Sequence, residues 1–200
     1  MKVAFRVDSS YEIGSGHVMR CLTIADMLRE RGTCCDFYCR SWPGNIMNMI
    51  SKAGHNIIEM KEERMDTTQA HYADSSIYKR WLGKDEIEDA RDMIALMRGV
   101  WYRWVVVDHY GISHLWENAV GCFSGGIAVI DDLANRRHRC SILLDPGCEG
   151  HLKRTYKELT SGQAKLLVGP KYALLRKEFI EERKQLVRSK TSRLKIIPER

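Results

Sequence analysis

The chain has 200 residues, of which 44% are hydrophobic and 29% charged, and its formal net charge is +6. This composition is typical of a globular protein with one α/β core or at most two small domains. No apolar run approaches the ~20 residues that span a bilayer, and the N-terminal sequence MKVAFRVDSS has no apolar signal-peptide core. We therefore expect a cytoplasmic protein without membrane insertion.

Cysteine content and charge argue against three further classes of protein. The seven cysteines are odd in number and form no C-x-x-C pair, so neither a zinc site nor a disulfide framework is expected. We interpret them as small buried thiols in strands. The carboxyl-terminal region is rich in Lys and Arg, but it contains no nucleic-acid motif. A solvated helix face that also attracts an anionic small substrate is the favoured interpretation, and no nucleic-acid partner is expected.

Apolar runs and helical periodicities alternate along the chain. In order, they predict a strand at Val3 to Asp8, a helix at Gly16 to Arg31, a strand at Cys34 to Cys39, a helix at Pro43 to Ala53 and a strand at Asn56 to Met60. After a polar, irregular segment at 61 to 83 come a helix at Asp85 to Arg98, a strand at Trp104 to Asp108, a helix at Leu115 to Val120, strands at Ile127 to Asp131, Ile142 to Asp145 and Lys165 to Val168, and a helix at Leu174 to Val187.

This alternation predicts the fold class. Strands that read as continuous apolar runs are buried on both faces, as in parallel sheets covered by helices. We therefore expect a doubly wound, mostly parallel, Rossmann-like α/β sheet. In such sheets, ligands bind beyond the carboxyl ends of the strands.

Carboxylates stand at those ends. Four predicted strands end in aspartates: Asp8, Asp108, Asp145, and the pair Asp131 and Asp132. A single Asp in this position often caps the following helix or turn. Four such strand ends on one edge, with histidines and a tyrosine nearby, favour a site.

The segment YEIGSGHVMRC follows the first predicted strand. Gly14 and Gly16 permit a tight turn that brings backbone N–H groups close to a ligand. The segment is not a dinucleotide fingerprint, because Met19 occupies the third glycine position. No Gly-Lys-Ser/Thr follows, which excludes a P-loop.

His17 stands at the start of the predicted helix. The positive end of the helix dipole disfavours an imidazolium there, and a neutral imidazole is what a general base requires. The alternative is that His17 packs beneath the loop. Arg20 lies one turn further along, either facing the same site or solvated. Tyr110 either orients a water or a sugar hydroxyl, or forms only a wall. The remaining histidines are interpreted as surface or packing residues: His55, His71, His114, His138 and His151.

Four segments together resemble a known family. They are FRVDSS-x2-IGSGHVMRCLTIADMLRERG, VVVDHYGI, VIDDLANRRHRCSILLD and LLVGPKYALLRKEF. Their order and spacing resemble the UDP-sugar hydrolases of pseudaminic acid biosynthesis, which act on UDP-2,4-diacetamido-2,4,6-trideoxy-β-L-altropyranose. Spore coat polysaccharide proteins of the SpsG type are similar over the same motifs.

The resemblance implies a fold, an activity and a set of site residues. The fold would be the N-terminal half of a GT-B fold, and the reaction would be inverting C1–O cleavage by water, without cofactor or metal. His17 would be the base, and Tyr110 a second catalytic residue. The implied substrate-binding residues are Arg6, Asp8, Gly14, Gly16, Arg20, Asp108, His109, Asp132 and Tyr172.

The resemblance also implies a division of labour. Residues 1 to 190 would form the sugar-binding and catalytic domain, and residues 191 to 200 would begin a UDP-binding domain. That domain, or a partner chain, would supply the nucleotide contacts. Two alternatives remain open: the N-terminal domain of a GT-B glycosyltransferase, and a non-catalytic protein of spore coat or envelope polysaccharide assembly.

Overall fold

The computed structural model describes residues 1–61, 76–147, 152–179 and 182. The strands are β1 Lys2–Val7, β2 Cys34–Arg40, β3 Asn56–Met60, β4 Trp104–Asp108, β5 Ile127–Ile130, β6 Ile142–Asp145 and β7 Lys165–Val168. The helices are α1 Gly16–Arg29, α2 Met47–Lys52, α3 Ser76–Leu82, α4 Glu86–Met97, α5 His114–Gly121 and α6 Leu152–Leu159, followed by a 3-10 turn at Pro170–Tyr172. Within these described residues, no helix is long and apolar enough to cross a membrane.

The seven strands form one sheet in the order β3-β2-β1-β4-β5-β6-β7, and every pair is parallel. The chain proceeds outward from β1 to β3 on one side, then returns to β4 on the other side of β1. This reversal between β1 and β4 is the point where ligands bind in doubly wound sheets. The predicted Rossmann-like α/β class is confirmed.

Side chains alternate between two hydrophobic layers. In β1, Val3, Phe5 and Val7 pack with Val18 and Cys21 of α1. The opposite layer receives Ala4 of β1 together with side chains of α4 and α5, including Met93 and Trp116. Because residues two apart in a strand share a face, both layers draw on every second residue of β1 and β4. Burial on both faces explains why the strands read as continuous apolar runs.

Two predicted helices begin later than their patterns suggested. The helix predicted from Pro43 starts at Met47. Pro43 and Gly44 belong instead to a turn in which Asn45 N–H donates to the Trp42 carbonyl, and Gly44 adopts a positive φ of 80°. In the helix predicted from Leu174, residues 174–176 are not helical and residues 177–179 are. Most of its remainder lies outside the described residues, as does the predicted domain boundary at 190.

Two helices were not predicted. Helix α3 lies inside the segment that we expected to be irregular, and α6 follows β6. The cysteine prediction holds for Cys35 and Cys39, which are buried in β2. Cys21 is buried in helix α1, and Cys34 and Cys122 are exposed.

A buried ionic cluster ties β1, β2 and α4 together. The guanidinium of Arg6 donates two hydrogen bonds to Asp89 of α4, at 3.0 and 2.8 Å. Arg40 of β2 donates to the same carboxylate at 2.7 Å. Trp116 of α5 adds a bond from its indole N–H at 2.8 Å. Burial alone would raise the pKa of Asp89, but the two guanidinium groups outweigh it and hold that pKa well below its usual value.

We expect Asp89→Asn to be strongly destabilising. Asp8 still pairs with Arg6, so loss of the Asp89 charge leaves one uncompensated positive charge shared by Arg6 and Arg40. Removing one partner of a buried ion pair typically costs about 3–5 kcal/mol. Urea unfolding at neutral pH measures the loss. The control is Glu88→Gln on the same helix. Its side chain is exposed, so a loss under about 0.5 kcal/mol is expected.

The lowered pKa of Asp89 also gives a pH dependence. The stabilisation by its ionised form is complete above the unfolded-state pKa of about 4 and is lost as the pH falls below it. The difference between wild type and Asp89→Asn should therefore shrink on acidification below about pH 4. A difference that stayed constant there would contradict the ion-pair interpretation.

Candidate active site

The candidate site lies at the carboxyl ends of β1 and β4, where α1 begins. Asp108 is the last residue of β4 and pairs in register with Val7 of β1. In β4, Val106 faces the α1 layer. The strand period of two places Asp108 on that same face. The carboxylate therefore meets the first turn of α1.

The loop before α1 is shaped by its glycines. Gly14 has a positive φ of 78°, and its N–H donates to the Ser10 carbonyl at 2.9 Å. An L-residue in that conformation costs about 1–2 kcal/mol, so glycine is favoured there. Gly16 opens α1, and a side chain at this position would meet no atom within 4 Å. Packing does not require glycine at 16, but its absent side chain leaves the helix end open to a ligand.

His17 and Arg20 of α1 converge on Asp108. Nδ1 of His17 lies 2.6 Å from Oδ1 of Asp108. Arg20 donates to both oxygens of the same carboxylate, each at 2.9 Å. Residues three apart share a helix face, which is why Arg20 lies on the site side of α1 and not in solvent.

The contact defines the tautomer of His17. An unprotonated Nδ1 would place its lone pair against the lone pairs of a buried carboxylate oxygen. Nη2 of Arg20 also lies 3.0 Å from Nδ1, but it donates to Oδ1 of Asp108 at 2.9 Å and does not need the ring as an acceptor. We therefore assign the hydrogen to Nδ1, which donates it to Asp108 and leaves the lone pair on Nε2. Within the described part of the chain, Nε2 has no hydrogen-bond partner, and it is not among the fully buried polar atoms. Nε2 is consequently accessible to solvent at the carboxyl edge of the sheet.

Asp132 and Tyr110 extend this network. Arg20 donates to Oδ2 of Asp132 at 2.9 Å, and the Tyr110 hydroxyl donates to Oδ1 of the same side chain. Partial burial alone would raise the pKa of Asp132, but the bonds from Tyr110 and Arg20 lower it. Burial, then the bond to Asp132, raises the pKa of Tyr110 above its ordinary value. Near neutral pH, Asp132 is therefore a carboxylate and Tyr110 a neutral phenol.

The ring of Tyr110 is enclosed by groups from three parts of the chain. Its edge meets the ring of His17 at a centroid distance of 4.6 Å. Tyr78 and Trp81 of α3 approach to 5.2 and 6.0 Å, and the Arg136 guanidinium lies 5.9 Å from the ring centre. Sequence reasoning missed these three neighbours. The only local signal was the pair of aromatic residues three positions apart in a segment that appeared irregular.

Arg6, Asp8 and His109 lie beneath the site and do not line it. Arg6 and Asp8 are fully buried and form an ion pair at 2.8 Å. His109 follows Asp108 and points to the opposite face of the sheet, where its Nε2 lies 3.5 Å from Asp8. Burial lowers the pKa of His109 to about 3, although the Asp8 carboxylate opposes this shift. The expectation that these three bind substrate directly does not fit their burial, and they support the site from below.

The other strand-end carboxylates are bound by neighbouring residues and do not reach the site. Asp131 pairs with Arg136 at 2.6 Å. Asp145 accepts from the Tyr156 hydroxyl and from the Gly147 N–H, each at 2.9 Å. Asp131 and Asp145 therefore have the structural role, capping a helix or turn, that the sequence offered as the alternative to a functional role.

Tyr172 lies in the 3-10 turn after β7, three strands away from β4. It packs partly buried against the α1 layer of the core, with Lys171 Nζ 4.8 Å from its ring. Among the described residues, no group of three or more His, Cys, Asp or Glu side chains could hold a metal ion.

Comparison with curated proteins identifies one relative of known activity. The chain is 28% identical over 185 residues to the UDP-2,4-diacetamido-2,4,6-trideoxy-beta-L-altropyranose hydrolase of Campylobacter jejuni subsp. jejuni serotype O:2. It is similar to a UDP-sugar hydrolase. The match covers 92% of this chain and 56% of the hydrolase, so the chain spans about half the length of that relative. The resemblance drawn from the four motifs is thereby confirmed. No protein-family model matches the chain.

Solved structures with a similar arrangement include glycosyltransferases. The calicheamicin glycosyltransferase is 12% identical, with a TM-score of 0.44 over 82% of this chain and 38% of that one. MurG of Acinetobacter baumannii is 14% identical, with a TM-score of 0.43 over 84% of this chain and 41% of that one. These scores are too low to support an argument about function.

The burial of His109 yields a prediction for its ring. A histidine whose folded-state pKa is lowered stays neutral at neutral pH, so the ring signals of His109 should not titrate between about pH 8 and pH 5. Proton NMR measures this, with the signals assigned by their loss in His109→Asn. The stability that the neutral ring confers is complete above about pH 6.5 and is lost as the pH falls toward 3. A midpoint near the value of free histidine would refute the buried placement.

Proposed function

We propose that the chain carries the sugar-binding and catalytic residues of an inverting hydrolase for a UDP-linked 2,4-diacetamido-2,4,6-trideoxy sugar. The name and activity of the Campylobacter relative support the substrate class. The geometry around His17 supports the reaction type. Within the proposal, the domain corresponds to the N-terminal half of a GT-B fold.

The contact between His17 and Asp108 is the observation that carries the proposal. Asp108 holds the hydrogen on Nδ1, so Nε2 is free to accept a proton from a water molecule in the cleft. The water oxygen forms a bond to C1 of the sugar as the bond from C1 to the UDP oxygen breaks. UDP leaves with the bonding electrons, and the water proton goes to His17. Attack opposite the leaving group inverts the anomeric centre.

The charges of the site favour that proton transfer. Asp108, Asp132 and Arg20 sum to one negative charge while His17 is neutral. The proton that His17 accepts cancels this charge, at 2.6 Å from a buried carboxylate. Fixed charge complementary to a developing positive charge lowers the barrier without reorganisation.

Tyr110 and Asp132 are assigned to orienting water and sugar. The phenol hydrogen is donated to Asp132, and Arg20 hydrogen-bonds to the phenol oxygen, so one lone pair of that oxygen remains to accept from the attacking water. The Asp132 side chain is one-third exposed, and its carboxylate can accept from a sugar hydroxyl or an acetamido N–H. Arg20 holds Asp132 and Asp108 in fixed relation.

The uridine diphosphate of the substrate would be recognised outside the described residues of this chain. The chain matches 56% of the relative, so we assign the recognition of the uridine diphosphate to a further domain or a partner chain. Gly14 and Gly16 leave the first turn of α1 open, so its backbone N–H groups can approach the sugar or its first phosphate.

The first experiment follows the reaction by proton NMR, with UDP-2,4-diacetamido-2,4,6-trideoxy-β-L-altropyranose as substrate. We expect free UDP and free sugar, the latter appearing first as the inverted anomer. His17→Ala should lower the rate about a thousandfold, and Asp108→Asn should lower it by about two orders of magnitude or more, because each removes general-base catalysis. The matched control is His55→Gln, a buried histidine that precedes β3 at the opposite edge of the sheet.

Three outcomes would contradict the proposal. Transfer of the sugar to an added acceptor in place of water would indicate a glycosyltransferase. Initial release of the retained anomer would exclude a single displacement. Near-wild-type turnover by His17→Ala would exclude His17 as the base.

A further inference from the structure

Helix α3 packs closely against the loop that carries Tyr110. The loop continues from Tyr110 into Gly111, and a side chain at Gly111 would collide with the backbone carbonyl of Tyr78. The same added atom would lie 3.1 Å from Leu82 and 3.1 Å from the His109 ring. Glycine at 111 therefore permits backbone-to-side-chain packing between the loop and α3 at close range. Leu82 is buried at the end of α3 and anchors the helix in the core.

The exposed side of this contact is aromatic. Tyr78 and Trp81 touch each other edge to face, with ring centroids 5.0 Å apart. Tyr78 presents a second edge-to-face contact to Tyr110, and Trp81 lies nearly parallel to Tyr110 at an interplanar angle of 28°. Such aromatic pairs contribute about 0.5–1.5 kcal/mol each beyond the area they bury. Arg136 and His17 complete the enclosure of the ring.

We infer that Tyr78 and Trp81 are positioning residues for Tyr110, so that α3 is a required part of the active site. This inference rests on the proposed function, in which the Tyr110 oxygen orients the attacking water. A phenol ring has two torsions, and the cage from α3 restricts both. The hydroxyl is thereby held on Asp132, with its remaining lone pair directed to one place.

The position of the ring matters because its hydroxyl belongs to a continuous chain of hydrogen bonds. The chain runs from Tyr110 to Asp132, from Asp132 to Arg20, and from Arg20 to Asp108, which holds His17. A Tyr110 ring that moved away would leave one Asp132 oxygen without its donor. The displaced Tyr110 oxygen would also no longer hold the water in line with C1 of the sugar. Small displacements of such orienting groups lower reaction rates by large factors.

A double-mutant cycle tests whether Trp81 acts through Tyr110. We expect Trp81→Ala to lower kcat about tenfold with little change in KM, and Trp81→Phe to restore most of the loss. In a Tyr110→Phe background, where the hydroxyl is already absent, Trp81→Ala should cause almost no further loss. The control is Trp101→Ala, which removes an exposed indole just before the amino end of β4.

A direct contact of Trp81 with the sugar would give a different result. If Trp81 instead stacked on the sugar, its removal would raise KM, and the losses from Trp81→Ala and Tyr110→Phe would multiply. Either observation would overturn the positioning role.

A second measurement needs no turnover. With ¹³C-labelled tyrosine, the Tyr110 ring signals can be assigned by their loss in Tyr110→Phe. We expect them to shift and sharpen in Trp81→Ala, as the ring loses its stacked neighbour and rotates freely, and to stay unchanged in Trp101→Ala. Tyr110 signals that are identical in wild type and Trp81→Ala would overturn the inference even if the hydrolase proposal held. If the signals respond but no UDP-sugar is hydrolysed even when the nucleotide-recognising domain or partner chain is supplied, the proposed function fails and the positioning of Tyr110 by α3 stands.

Discussion

Two guanidinium groups that share one buried carboxylate hold together the part of the sheet on which the site is built. Arg6 of β1 and Arg40 of β2 both donate to Asp89 of α4, and all three side chains are fully buried. Removing each charge from water costs several kcal/mol, which is recovered only when all partners meet in good geometry. Buried ion pairs of this kind are weak evidence for stability. Their consequence here is positional, because β1, β2 and α4 satisfy the charges in only one relative arrangement.

The same physics separates two histidines that differ in what they can do. Asp108 and His109 are consecutive, but the strand period of two directs them to opposite faces of the sheet. Asp108 contacts His17 near the solvent-facing end of α1, whereas His109 is buried beside Asp8. Burial keeps His109 neutral, with a pKa of about 3. His17 retains a solvent-facing Nε2 and a carboxylate partner, and it is therefore the histidine equipped to exchange a proton with a ligand.

Electrostatics and packing meet at Tyr110. Its hydroxyl belongs to the charged network of Arg20 and Asp132, and its ring belongs to the aromatic group of α3. The phenol remains protonated because burial and the neighbouring carboxylate raise its pKa. A neutral phenol offers lone pairs without adding charge to a site that already holds two carboxylates. Under the proposed function, this combination suits a group that orients water and does not itself take up the proton.

Much of the framework was predictable from local patterns. Strands β3, β4, β6 and β7 have the predicted bounds, because continuous apolar runs between turn residues leave few alternatives. The convergence of strand-end aspartates on one edge followed from parallel topology alone. The departures have local causes as well: α2 starts later because Pro43 and Gly44 form a turn, and α3 was missed because seven residues carry too few periods to distinguish a helix from a loop.

Local patterns in the amino-acid sequence suffice to predict a doubly wound parallel sheet, a glycine loop that opens α1, and His17, Asp108 and Tyr110 as neighbours at one edge. Which polar residues reach the solvent-facing site and which lie beneath it depends on the folded arrangement. It placed Arg20 on Asp108 and Asp132, withdrew Arg6, Asp8 and His109 into the interior, and brought Trp81 to Tyr110 across 29 positions of sequence. The reason is physical: local periodicity specifies the face on which a side chain lies, whereas its burial and partners depend on elements that meet it only after the chain has folded.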